Sequence, residues 1–187
     1  MVINKMENLE EKMKEKDGED GMKEKDINEI FKKLDKFYDI TAENVMNKNF
    51  PVIEKGAPIK DVIKEIGKLE TYYLWVIDSE KNNKLIGIIT EEDILSALGE
   101  SPIQKGVSMD YDIFGLGLLF YGTATSVEDI MNSPPIYCKK KTTIREVIEI
   151  MTKERINQVA VVYKGCIIGD INLNKLLNLI VKFLYEG

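Results

Sequence analysis

The chain has 187 residues, of which 44% are hydrophobic and 31% are charged, which suits one compact domain or two small ones. Its 26 basic and 32 acidic residues give a net charge of −6, which argues against a nucleic-acid-binding protein because such proteins need a cationic surface. The sequence contains no histidine, and this excludes Ser-His-Asp and Cys-His catalytic pairs as well as His-ligated metals.

Other residue types narrow the function further. Cys138 and Cys166 are too few and too far apart for a disulfide framework or a thiolate metal site. No segment reaches the ~18 apolar residues of a membrane span, and the first residues lack the apolar run of a signal peptide. We therefore expect a cytoplasmic protein that binds neither nucleic acid nor membrane. Since no catalytic constellation can be assembled, we also expect that it is not an enzyme and requires no cofactor.

The N-terminal region changes character near residue 27. Residues 1–26 are almost wholly polar and nearly charge-balanced, which predicts a charged, flexible extension, with a partner-binding helix as the alternative. Apolar residues then return at helical spacing, which predicts a short amphipathic helix leading into the folded part. These residues are Ile27, Ile30, Phe31, Leu34, Phe37 and Tyr38.

Beyond Ile40 the sequence repeats itself. The segment TAENVMNKNFPVIEKGAPIKDVIKEI, which starts at Thr41, aligns with SVEDIMNSPPIYCKKKTTIREVIEIM, which starts at Ser126, at a constant offset of 85. After a small length difference the match resumes at an offset of 82, where Ile86 aligns with Ile168. We interpret this as two copies of one structural unit.

Each copy predicts a short turn helix followed by strand, helix, strand, strand and helix. The strands are apolar and the helices carry one apolar face, so the predicted fold class is α+β. The predicted strands are Val52-Ile53, Tyr73–Ile77 and LIGII in the first copy, and Ile136-Cys138, Val159–Tyr163 and CIIGDI in the second. The predicted helices start at Pro58 and Thr143, and the last ones cover Glu91–Leu98 and Leu173–Leu184.

The connector between the copies, residues 99–125, contains an apolar run, Tyr111–Tyr121. At this length it is too short to cross a bilayer, and an apolar patch of that size is seldom left in water. We expect it to cover a ligand cleft, form a dimer contact or dock a partner. The alternative is that it packs on its own module.

The VMN and IMN openings, the VID strand end and the G-I-I-T-E-E-D motif resemble the CBS domain, named after cystathionine beta-synthase, and the tandem copies resemble a CBS pair or Bateman module. The resemblance covers residues 41–98 and 126–182 and implies tandem β-α-β-β-α CBS repeats with pseudo-twofold symmetry. With the lead-in helix, we expect the first repeat to span residues 27–98 and the second to span residues 126–187. It also implies a homodimer, an adenosine-containing ligand such as AMP, ADP, ATP, S-adenosylmethionine or methylthioadenosine, and a partner protein that responds to occupancy.

The Gly87–Asp93 motif is the first candidate site. An Asp93 carboxylate at a helix start can accept hydrogen bonds from both ribose hydroxyls, and a negative charge is favourable at a helix N-terminus. The Thr90 hydroxyl adds a donor and acceptor, and Gly87 permits close approach of backbone and ligand. The alternative is that Thr90 and Asp93 only cap the helix.

In the family, a cleft takes its ribose clamp from one repeat and its base wall from the other. The resemblance therefore implies that the Thr90 and Asp93 cleft also uses Met131, Pro135, Ile136, Asn157 and Gln158. Apolar faces such as that of Met131 suit adenine, and the two amide side chains suit ring edges or ribose. Plain core packing is the alternative for Met131.

The second copy departs from the motif, because Asn172 replaces the threonine and Lys175 replaces the acid. A lysine donates hydrogen bonds but cannot accept them, so it cannot hold a diol as aspartate does. We expect this cleft to be empty or weak, with phosphate or carboxylate binding by Lys175 as the alternative. The family pattern would add Met46, Pro51, Tyr72 and Tyr73, whose tyrosines either stack on a base or fill the gap.

These observations predict a regulatory or sensor module that shifts its conformation or partner binding when an adenosyl ligand binds. The sequence lacks a glycine-rich phosphate loop and holds only two arginines, Arg145 and Arg155, so lightly charged ligands are at least as well matched as ATP. A structural or oligomerisation module with vestigial clefts is the competing hypothesis.

Overall fold

The structure is a computed structural model that describes residues 24–69, 71–99 and 125–185. The predicted apolar run Tyr111–Tyr121 and most of the predicted extension, residues 1–23, lie outside the described residues. A helix α1, Glu24–Tyr38, comes first and is followed by a one-turn helix α2, Ala42–Val45. The predicted amphipathic lead-in helix thus corresponds to α1.

Both repeats have the predicted order of strand, helix, strand, strand and helix. The first consists of β1 (Val52–Glu54), α3 (Ile59–Leu69), β2 (Tyr73–Ile77), β3 (Leu85–Thr90) and α4 (Glu91–Gly99). A 3₁₀ turn, Val127–Asp129, opens the second, which continues as β4 (Tyr137–Lys139), α5 (Ile144–Glu154), β5 (Gln158–Tyr163), β6 (Cys166–Asn172) and α6 (Leu173–Tyr185). The α+β class and the β-α-β-β-α order are confirmed.

Each repeat forms a three-stranded sheet, in the orders β1-β2-β3 and β4-β5-β6. In the first sheet β1 runs parallel to β2, with α3 as the crossover, and β2 runs antiparallel to β3. The second sheet turns from β5 to β6 through Lys164 and Gly165, whose φ angles of 52° and 85° are those that a two-residue hairpin requires. Glycine tolerates such an angle because it has no Cβ.

The described chain forms two compact units that do not follow the repeat boundary. The first comprises residues 24–47, 138–159 and 171–185, and the second comprises residues 48–69, 71–99, 125–137 and 160–170. The same pair of backbone hydrogen bonds occurs once in each unit, at positions that differ by the repeat offset of 85. The pairs are Ala42 N to Thr142 O and Ile144 N to Ile40 O in the first unit, and Val127 N to Ala57 O and Ile59 N to Thr125 O in the second.

The second unit has apolar clusters on both faces of β2. Because side chains alternate along a strand, Leu74 and Val76 pack on one face with Val62 of α3, and Tyr73, Trp75 and Ile77 pack on the other. This two-sided burial explains why all five residues of β2 are buried. The strand therefore fixes β3, and the site at its end, against both clusters.

In the first unit α1 packs on α6 through aromatic side chains. Phe37 is fully buried, and its ring lies 5.6 Å from that of Phe183. Arg145 of α5 lies 4.6 Å from the centre of the Tyr38 ring and forms an ion pair with Asp35 at 3.3 Å. One of the two arginines is thus engaged in attaching the lead-in helix.

Within residues 24–69, 71–99 and 125–185, every helix is too short or too polar to cross a bilayer.

Candidate functional site

The strongest candidate site lies where β3 meets α4 in the second unit. Thr90 ends β3, and Asp93 is the third acidic residue in the first turn of α4. Asp93 Oδ2 accepts hydrogen bonds from Thr90 N at 2.7 Å and from Thr90 Oγ1 at 2.8 Å, while Asp93 N donates weakly to Thr90 Oγ1 at 3.4 Å. Thr90 and Asp93 therefore form the reciprocal hydrogen bonds of a helix cap. These hydrogen bonds also hold the carboxylate in one orientation, at the positive end of the helix dipole.

The other carboxylate oxygen of Asp93 contacts the second repeat. Asn132 Nδ2 donates to Asp93 Oδ1 at 2.7 Å. The backbone of Asn132 is itself fixed on β3, because its N and O atoms form hydrogen bonds with Ile88 O and N at 2.8 and 3.1 Å. Ser133 Oγ adds a hydrogen bond to Ile86 O at 2.9 Å. The turn that opens the second repeat therefore lies along β3 of the first.

Gly87 is needed for that approach. A Cβ atom at this buried position would lie 2.7 Å from Met131 Sδ and 3.2 Å from Asn132 O, closer than Cβ contacts normally come. The close approach that this glycine permits is therefore made by the protein's own chain. It brings Met131, one of the predicted base-wall residues, against the same strand as Thr90.

The remaining predicted wall residues divide between the two units. Pro135 and Ile136 are half-buried, belong to the second unit and continue the Met131–Ser133 segment. Asn157 and Gln158 belong to the first unit. Asn157 is exposed, and its carbonyl accepts a hydrogen bond from Leu173 N at 2.8 Å. The structure thus places Gly87, Thr90, Asp93 and Met131 together and describes the amide pair in another unit.

Asn157 also lines a pocket of the first unit. This pocket lies between α5 and α6 and has a volume of about 340 Å³. Its walls are mostly apolar, with polar groups supplied by Thr152, Arg155 and Asn157. The second arginine of the chain therefore lies in the first unit, as the first does.

The corresponding junction of the second repeat, between β6 and α6, has the cap without the carboxylate. Asn172 Oδ1 accepts a hydrogen bond from Lys175 N at 2.9 Å. The first turn of α6 contains no acidic residue. Of the two tyrosines that the family pattern adds to this cleft, Tyr72 is 69% exposed and Tyr73 is a core residue. This junction can cap its helix but offers no acceptor pair for a diol.

A buried polar group on β6 was not among the residues predicted from the sequence. Asp170 is only 1% exposed, and its Oδ2 accepts hydrogen bonds from Tyr73 Oη at 2.7 Å and Trp75 Nε1 at 3.1 Å. Both donors lie on β2. The available signal was an acidic residue within the apolar strand CIIGDI, in a protein whose strand YLWVI carries two aromatic donors.

Two titrating side chains at the start of the second repeat have shifted pKa values. Backbone N–H groups of Ser126 and Thr125 hold the pKa of the Asp129 carboxyl below its ordinary value, so this turn acid stays charged. Burial raises the pKa of the Cys138 thiol to about 12, which makes it a poor nucleophile at neutral pH. Among the described residues, no cluster of acidic or cysteine side chains is arranged to hold a metal ion.

A comparison with family sequence models identifies both repeats. The model described as the CBS domain matches residues 42–100 and 127–182, which together make up more than half of the chain. No protein of curated function matches the sequence.

Solved structures with this fold include three bound to adenosine compounds. CBSX2 in complex with AMP is 19% identical, with 76% of this chain and 96% of that chain covered and a TM-score of 0.60. The CBS domain pair of protein MJ0100, in complex with 5′-methylthioadenosine and S-adenosyl-L-methionine, is 21% identical, with coverages of 75% and 94% and a TM-score of 0.57. The cytosolic domain of the Mg²⁺ channel MgtE in complex with ATP is 21% identical, with coverages of 79% and 52% and a TM-score of 0.54.

Proposed function

Because this chain belongs to the CBS domain family, we propose that it binds an adenosine-containing ligand at Thr90 and Asp93 and works as a regulatory module. The ligand class comprises AMP, ADP, ATP, S-adenosylmethionine and methylthioadenosine. Binding would shift the population of conformations and so change the interaction with a second copy or an effector protein.

The orientation of the Asp93 carboxylate is the observation that carries this proposal. Oδ2 is held by Thr90, so the group cannot turn away, and Oδ1 faces the turn of the second repeat. A fixed anion of this kind is suited to accept hydrogen bonds from sugar hydroxyls. Because Asn132 and Met131 come from the other repeat, a ligand at this position would contact both repeats within one unit.

The ligands of the related structures support an adenosine-containing ligand but differ from one another. AMP, ATP, S-adenosylmethionine and methylthioadenosine share adenosine and differ in what is attached at the ribose 5′ position. The chain has only two arginines, Arg145 and Arg155, and its sequence has no glycine-rich phosphate loop. This composition favours a ligand with few phosphates, since arginine is the usual bidentate clamp for them.

Calorimetric titration with AMP, ATP, S-adenosylmethionine and methylthioadenosine tests the proposal. At least one should bind to ligand-stripped protein, and Asp93→Ala should weaken it by at least ~10-fold, because hydrogen bonds to a charged group are lost. Asp61→Ala is the matched control, since Asp61 lies in the first turn of α3 in the same unit. Absence of binding by all four compounds, or equal binding by Asp93→Ala, would refute the proposal.

A structural or oligomerisation module is the second candidate, and it is favoured by the exposed face of α6. Leu173, Leu177 and Val181 recur at helical spacing and are 43%, 51% and 51% exposed. Under this hypothesis Leu177→Lys separates an oligomer in sedimentation velocity, whereas Asp93→Ala leaves its mass unchanged. A monomeric wild-type protein would remove this candidate.

A further inference from the structure

We infer that Asn132 is a determinant of affinity and sugar specificity at the Asp93 site, because its amide competes with a ligand hydroxyl for Asp93 Oδ1. The inference rests on the proposed function and adds to it a regulating contact. A carboxylate offers about four acceptor positions, two on each oxygen. Within the described residues, protein donors use three of them: two on Oδ2 from Thr90 and one on Oδ1 from Asn132.

The donors from Thr90 and from Asn132 differ in how easily they can release the Asp93 carboxylate. Thr90 N belongs to the backbone at the end of β3, and Thr90 Oγ1 both donates to Asp93 and accepts from Asp93 N. These contacts cap the first turn of α4, so their removal would lower the stability of the helix start. The Asn132 side chain is exposed and belongs to no cap, so its amide can rotate away while the backbone stays in place.

The backbone of Asn132 does not depend on its side chain. Its two hydrogen bonds to Ile88 and the hydrogen bond from Ser133 to Ile86 keep the turn on β3. The packing of Met131 against Gly87 adds a further contact. Removing the amide should therefore release Oδ1 without displacing the turn.

The number of free acceptor positions on Asp93 predicts different affinities for ribose and 2′-deoxyribose. With Asn132 in place, Oδ1 has one position open, which is enough for one hydroxyl. A ribose that donates both its 2′ and 3′ hydroxyls to Asp93 must displace the amide, whereas a 2′-deoxyribose need not. The Asn132 contact thus lowers the affinity for ribonucleotides and leaves deoxyribonucleotides nearly unaffected.

Titration of wild type and Asn132→Ala with AMP and 2′-deoxy-AMP tests this. The variant should bind AMP about 3- to 10-fold more tightly, the factor that one net hydrogen bond represents, and 2′-deoxy-AMP with less than about 2-fold change. A general change of stability or shape would alter both affinities alike, so the difference between the two nucleotides is the specific readout. The single tryptophan, Trp75, pairs with Ile88 and gives an independent fluorescence signal.

Asn47→Ala is the matched control, because Asn47 occupies in the first repeat the position that Asn132 has in the second. The residue of the second repeat that corresponds to Asp93 is Lys175, which has no carboxylate. It should leave both affinities unchanged. If Asn132→Ala does not fold, Asn132→Ser makes the same test with a shorter side chain. Unchanged or weaker AMP binding, or equal gains for both nucleotides, would overturn the inference and leave the proposed function standing. Failure of wild type and variant to bind any adenosine compound would overturn both.

Discussion

The two strand-to-helix junctions of the repeats begin their helices in the same way and differ in charge. At the β3–α4 junction Asp93 N donates to Thr90 Oγ1, and at the β6–α6 junction Lys175 N donates to Asn172 Oδ1. The helix α6 begins without any acidic residue in its first turn. A carboxylate is therefore not required to start the last helix of this fold, and the acid at the first junction exceeds what capping demands.

The strands that lead to these junctions differ as well. Ile88 of β3 corresponds to Asp170 of β6 at the offset of 82. Ile88 uses its backbone to hold the turn of the second repeat, whereas Asp170 places a carboxylate in the core beneath two aromatic donors. The carboxylate that distinguishes the first repeat thus lies at a helix start, as Asp93, and the one that distinguishes the second lies inside a strand, as Asp170.

The largest effect is expected from the buried acid. Asp170→Ala removes the acceptor that Tyr73 Oη and Trp75 Nε1 share and should lower the free energy of unfolding by about 2–4 kcal/mol. Asp170→Asn keeps one carbonyl acceptor and should lose less. Urea unfolding followed by Trp75 fluorescence measures both variants. If Asp170→Ala unfolds at the same urea concentration as wild type, the Asp170 carboxylate does not stabilise the core, which would contradict the proposed difference between the two strands.

The next effect concerns the charge that separates the two junctions. Asp93→Lys gives the first junction the residue type of the second and should weaken AMP binding by about 30-fold, or ~2 kcal/mol, because the acceptor oxygens are lost. Calorimetric titration measures the change. Lys175→Ala serves as the control and should leave AMP binding at its wild-type value. A weaker affinity in the control and none in Asp93→Lys would assign the ligand to the other junction.

The smallest effect separates capping from binding. Thr90→Ala and Asn172→Ala should each lower the free energy of unfolding by ~1 kcal/mol, the usual value of an N-terminal cap. Only Thr90→Ala should also reduce AMP affinity, because Thr90 orients Asp93. Thermal unfolding and titration of the same samples give both quantities. Equal AMP affinities in the two variants would mean that the threonine acts only as a cap.

Much of the fold followed from the sequence because its signals are local. The run YLWVI gave the bounds of β2 without error, and the repeat offset predicted that two copies would share one order of elements. The Thr90 and Asp93 pairing also followed from spacing, since residues three apart meet at a helix start.

The missed contacts depend on which strands and turns become neighbours. The hydrogen bond between Asn132 and Asp93 joins residues 39 positions apart, and Asp170 reaches donors more than 90 positions away. Hydrophobic periodicity predicts on which face of its own helix or strand a side chain lies. It does not predict which hydrogen-bond donor of another element will face that side chain. For the same reason the sequence alone does not reveal that Met131 lies against Gly87.

A crystal structure of the protein with AMP tests the central claim most directly. The account predicts ribose density within hydrogen-bond distance of Asp93 Oδ1, with the Asn132 amide rotated away and no nucleotide beside Lys175. Ribose density at the β6–α6 junction, or a nucleotide bound elsewhere with the Asn132 contact intact, would contradict it.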